Sequence, residues 1–177
     1  MDKIVDLQSY RARVLEQKAY AHWSKRFGES FSLNTKLSDL SNKTIFLLAS
    51  PGENSSQAFY ELIMGVLDLG EAAKFYYLAN QEQMRVVDIH LFLADQIRFE
   101  MMRRLGWLKR IASGEYRLVD LVQDFDSIKT KCRGMPPAFV ENHREYSLFA
   151  PLTPGDKEVF IRRKLQEALE AFKKNLE

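Results

Sequence analysis

Asp88, His90, Asp95 and Glu100 are set into the longest apolar stretch of the chain, Asn80 to about Ile111, which reads as one long helix apolar around most of its circumference. Carboxylates and an imidazole on a buried helix are the residue types from which an acid/base or metal site can be built. Helical geometry works against a joint site. At 100° per residue His90 points about 200° away from Asp88 and about 140° away from Asp95. Asp88 and Asp95 share a face, but seven residues of rise put roughly 10 Å between them, too far to hold one ion without a third element. No Glu-x-x-His or His-Glu-x-x-His spacing supplies a metal framework, so no metal or cofactor is expected.

The neighbours of His90 are Val86, Val87, Leu93, Ala94 and Ile97. In that setting a neutral, hydrogen-bonded core histidine is expected. Asp95 can pair with Arg98 and Glu100 with Arg104, both at ordinary helix-surface spacings. The alternative is a ligand-binding or catalytic bundle using Asp88, His90 and Asp95, or His143 and Tyr146 from a downstream loop. Cys132, flanked by Lys131 and Arg133, has the neighbours of an activated thiolate, yet a lone cysteine is read as unreactive. The Gly-rich phosphate loop, the Gly-x-Ser-x-Gly elbow and strand-helix alternation are all missing.

Basic residues alternate with aromatics around Trp23 and again at Arg103, Arg104, Trp107, Lys109 and Arg110. Arg103, Arg104, Lys109 and Arg110 are therefore candidate phosphate contacts for a weak nucleic-acid binder. Both clusters lie near carboxyl ends of expected helices, where the helix dipole favours cations whatever the function. A net charge of +2 also argues against a dedicated nucleic-acid reader. The Pro51-Gly52 turn between two helices invites a helix-turn-helix comparison, but Phe59, Leu62, Ile63, Met64 and Val66 leave the second helix too apolar to read bases.

The elements that must position these residues are helices. Eight Gly and five Pro in 177 residues are too few for an all-β barrel, and 46% hydrophobic against 28% charged residues matches an ordered globular chain. The length fits one domain, residues 1–177. One cysteine and a charged amino terminus without an apolar run give a reducing compartment, the cytoplasm, as the expected location. The longest apolar run, Ile45 to Ala49, is far short of the about 20 residues a membrane span needs.

From Lys3 to Phe27 a helix carries two apolar stripes, one of Leu7, Tyr10, Val14 and Ala21, the other of Val5, Ala12, Leu15, Ala19 and Trp23. Helices are further expected over Leu37–Ala49, from the Asn54-Ser55-Ser56 caps to Gly70, from Leu118 to about Lys131, and from Thr153 to the end. Residues 132–152, including Phe139 and Tyr146, show no period and are expected to form an irregular loop or arm. The fold expected is all-α, five or six helices around Asn80–Ile111. Two faces on the first helix suggest two neighbours, so the functional expectation is a non-enzymatic protein acting through protein contacts, including self-association as a homodimer. Leu7, Tyr10, Val14, Trp23, Phe139 and Tyr146 are the candidate interface residues; a small-molecule ligand remains the alternative partner, and no membrane is expected.

Overall fold

The computed structural model describes residues 2–176, with side-chain surroundings from Asp6 onward, so the reading of Val5 lies outside the described residues. Every regular element among them is helical: α1 (Asp2–Tyr20), α2 (Trp23–Phe27), α3 (Asn42–Ala49), α4 (Glu53–Val66), α5 (Asn80–Arg104), α6 (Leu118–Gln123), α7 (Phe125–Arg133), α8 (Tyr146–Phe149), α9 (Pro154–Arg163) and α10 (Leu165–Leu176). Three 3-10 turns, Leu37–Asp39, Ala72–Tyr77 and Ala112–Glu115, join them, with isolated bridges at Lys36–Arg117 and Leu108–Phe139. The all-α class expected from periodicity is the class found. No helix is long and apolar enough to cross a membrane among the described residues.

Local chemistry sets the boundaries. Ser41 caps α3 through its hydroxyl, which accepts from Thr44 N at 3.1 Å, and Thr153 caps α9 with Pro154 at the first turn. The α4 helix starts earlier than its polar triplet suggests, from Gly52 at φ +144°, while the Ser55 hydroxyl donates back to Ser50 O at 2.7 Å. It ends at Val66 rather than Gly70, because Asp68 adopts the left-handed conformation that closes the turn. The Asp124 backbone breaks the expected 118–131 helix into α6 and α7, and the terminal stripe is broken at Lys164.

The central helix is also shorter than its apolar pattern. It ends at Arg104, where Gly106 at φ +79° turns the chain away. The residues that continued the pattern, Trp107, Leu108 and Ile111, serve a different purpose. Leu108 pairs with Phe139 in an antiparallel bridge, with Val140 N donating to Trp107 O and Lys109 N to Ala138 O, both at 2.9 Å. Residues 132–152 are anchored by this bridge and by Phe139, fully buried against Phe149 and Phe160, while the segment stays irregular apart from the end of α7 and the short α8.

Buried side chains form one connected core. Helices α3 and α4 pack on α5, α10 covers α3 and α5, and α1 lies along α4. That last contact depends on Gly65, since a Cβ there would meet Lys18 O at 2.0 Å and Lys18 C at 2.7 Å. Below the crossing, Tyr20, Trp23, Phe27 and Phe31 cluster edge-to-face and stacked at 5.2–6.3 Å. The Trp23 indole N–H donates to Ala58 O at 2.8 Å, and Lys18 meets Asp68 at 2.6 Å. The helix expected over Lys3–Phe27 breaks at Ala21–His22, and its second stripe is inward only toward the end: Ala19 and, in α2, Trp23 are buried, Leu15 is partly so and Ala12 is exposed.

Candidate functional site

Asp88, His90 and Asp95 do not converge. Asp88 is exposed, and among the described residues no three His, Cys, Asp or Glu side chains are placed to hold a metal ion. His90 is half-buried between the rings of Phe59 and Tyr60, at centroid distances of 5.3 and 5.0 Å. The expected hydrogen-bonded histidine is instead an aromatic-packed one. Burial, reinforced by the Arg98 guanidinium, pushes its pKa below the ordinary 6.5. Asp95 is bonded not to Arg98 but to Arg162 of α9, at 2.6 Å, because Arg98 turns to donate to Ala49 O at 3.3 Å. Burial raises the Asp95 pKa in spite of the opposing guanidiniums of Arg162 and Arg98.

His143 and Cys132 have separate surroundings. The His143 ring lies flat on Phe139, 4.4 Å between centroids, and edge-on to Trp107, while its Nδ1 accepts from Glu145 N at 3.1 Å. It lines an open groove of about 630 Å³ with Trp107, Asn142, Arg144 and Lys174. Burial lowers its pKa, with Arg144 and Lys164 acting the same way and Glu145 and Glu167 opposing. Burial pushes the Cys132 thiol up, the opposite of an activated thiolate.

The densest polar arrangement is at the carboxyl end of α5. Glu100 is fully buried there, which overturns its reading as one half of a helix-surface pair. It accepts from Arg103 Nε at 3.0 Å and Nη2 at 2.6 Å, and from Arg104 Nε at 2.9 Å. Arg104 is mostly buried and spends its remaining nitrogens on Asn42 Oδ1 and Ser38 O, at 2.9 and 3.1 Å. A buried carboxylate with three charge-assisted hydrogen bonds is satisfied, and removal of either side would leave an uncompensated charge. The hydrogen bonds to Glu100 raise the Arg103 pKa further, so this guanidinium stays charged. One turn earlier, the buried Ser113 hydroxyl donates to Gln96 Oε1 at 2.6 Å and ties the Ala112–Glu115 turn to the same helix face.

The candidate nucleic-acid set therefore has internal partners. Arg103 and Arg104 are held by Glu100, Arg110 lies 3.3 Å from Glu115, and Lys109 lies 4.0 Å from Glu141. Spacing shows Glu100 with Arg104; Arg103, three residues on, was equally legible. The distant partners Ser38, Asn42 and Glu115 carry no signal in the sequence.

The candidate interface residues separate into two groups. Trp23 and Phe139 are core, so the aromatic content that marked them as surface is used inside the chain. Tyr146 and Val14 are half-buried, whereas Leu7 is 49% and Tyr10 61% exposed. All side chains from Asp6 to Arg13 are exposed. Tyr76 and Tyr77 in the Ala72–Tyr77 turn are more exposed still. No family model matches the chain, and no curated protein or solved structure matches it.

Proposed function

We propose that this protein works through protein contacts made by the outer face of α1, and that the first partner of that face is a second copy of the chain. The observation that carries the reading is the uniform exposure of Asp6 to Arg13 on a helix that continues, without interruption, into the buried Ala19 and Tyr20. Short helices are marginal in water, and most helical stability comes from packing an apolar face. Leu7 and Tyr10 of the outer stripe have no such packing from the body of the chain, and Val14 at its inner end is half-buried.

Charge favours a like partner. Asp6 and Arg13 flank Tyr10 at nearly equal distances along one face of α1. Antiparallel pairing centred between Ser9 and Tyr10 would set Asp6 of each copy opposite Arg13 of the other, the self-complementarity that a two-fold interface requires. A single helix pair buries less than the roughly 800 Å² per partner of a standard stable interface, so the association is concentration-dependent. No catalytic step is assigned, since the ionisable side chains read from the sequence are separated or internally paired.

Sedimentation velocity over a range of concentrations tests the reading. The wild type is expected to show a monomer–dimer equilibrium, and Leu7→Asp with Tyr10→Asp to sediment as a monomer with unchanged far-UV circular dichroism. A wild type that stays monomeric at all concentrations would remove self-association.

A further inference from the structure

We infer that the cleft beside Glu100 is a binding site for the phosphoryl group of a small molecule, with Arg103 and Arg110 as the contacting residues. The cleft has a volume of about 330 Å³ and is lined by Arg103, Arg110, Glu115, Gly114 and Ser38, with Glu100 at its base. It is independent of α1, and its failure would leave the self-association reading untouched.

Three features carry the assignment. The first is a fixed guanidinium. Arg103 gives Nε and Nη2 to the buried Glu100, while its Nη1 has no hydrogen-bond partner among the described residues and its side chain is more than one-third exposed. A planar fork clamped along one edge presents the other edge in a set orientation, the arrangement suited to a tetrahedral oxyanion. The second is a surplus of cations. Glu100 is matched by two guanidiniums, and Glu115 by Arg110 at 3.3 Å and Lys36 at 3.5 Å. On the far side, against the effect of burial, hydrogen bonds from Ser41 and Thr44 with a lesser contribution from Arg104 hold the Glu29 carboxyl below its ordinary pKa. Displacement of Glu115 leaves both Arg110 and Lys36 without their carboxylate, a charge that a dianion matches better than a monocarboxylate.

The third is the nature of the present partner at the mouth. Glu115 is about half exposed and reaches its two cations at long distances, unlike the tight, buried Glu100 contacts. It acts as an internal anion that an incoming phosphoryl group displaces toward solvent. Next to it in the chain, the buried Gly114 leaves room beside Glu100: a Cβ would sit 3.8 Å from Glu100 Oε2, in ordinary contact. Alanine is therefore compatible with the fold there and narrows the cleft.

Phosphorus NMR and titration calorimetry of the full chain with inorganic phosphate, sulfate and acetate test the assignment at constant ionic strength. Phosphate is expected to bind in preference to acetate, Arg103→Gln and Arg110→Gln each to weaken it by about tenfold or more, and Glu115→Gln to tighten it. Gly114→Ala is expected to weaken it without altering the circular dichroism. Arg110 and Glu115 are exposed, so their variants test the site even if Arg103→Gln disturbs folding. Equal affinity across wild type, Arg110→Gln and Glu115→Gln, or preference for acetate, overturns the inference.

Discussion

Replacing Gly65 with alanine is the sharpest test of how α1 is seated. In an exposed helix the change from glycine to alanine stabilises by about 1 kcal/mol, because glycine gives up more backbone freedom on folding. At Gly65 the added methyl would lie 2.0 Å from Lys18 O and 3.2 Å from Ala19 Cα. Both are backbone atoms and cannot rotate away. Contacts between such atoms are comfortable only beyond about 3.5 Å, so α1 must retreat from α4 by more than about 1 Å. Overpacking of this kind costs about 1–3 kcal/mol, and a gap of that width also forfeits between a quarter and a half of the dispersion energy along the contact. Set against the propensity gain of about 1 kcal/mol, Gly65→Ala should lose up to about 2 kcal/mol overall.

Urea denaturation followed by circular dichroism gives the magnitude, and tryptophan fluorescence gives the location, since the Trp23 indole is bonded to Ala58 across the same contact. Gly155 in α9 is the internal control: no atom lies within 4 Å of a Cβ built there, so Gly155→Ala should stabilise by about 0.4–1 kcal/mol. If Gly65→Ala is as stabilising as Gly155→Ala, the two backbones are not in close contact and α1 is not seated as described.

Two further expectations rest on buried groups. The Tyr20 hydroxyl is buried with no hydrogen-bond partner among the described residues, and burial raises its pKa, so Tyr20→Phe should stabilise by about 1–3 kcal/mol in thermal or urea unfolding; a loss of stability would show that the hydroxyl is bonded. For His90 and His143 the folded pKa lies below the ordinary 6.5, so the unfolded chain binds protons first as the pH falls. Their contribution is present in full above 6.5 and is lost below it, with a slope of at most about 1.4 kcal/mol per pH unit for each ring. His90→Phe should flatten the stability difference between pH 7.5 and 5.5, and an unchanged slope would mean that the ring is freely protonated in the fold.

Periodicity alone determined that the protein is helical, that Asn80 begins its longest helix, and that α1 carries two apolar stripes. These properties were legible because helix faces repeat at short range, so each residue's neighbours along the helix are also its neighbours in the chain. The same local rules exposed Thr153 as a cap and paired Glu100 with Arg104. They misread Trp107, Leu108 and Ile111 as helix because an apolar residue satisfies a helix face and a loop-to-loop bridge equally well.

Which of those faces is inside was decided only by tertiary packing. Gly65 lets α4 meet α1 at Lys18 and Ala19, with Leu7 and Tyr10 left exposed, and nothing in α1 itself distinguishes the two stripes so clearly. Likewise Asp95 found Arg162, 67 positions away, in place of the neighbouring Arg98, and Glu115 reached Lys36 across 79. Charge and shape at such separations are set by how the helices pack, because a carboxylate takes the cation that burial leaves within hydrogen-bonding reach.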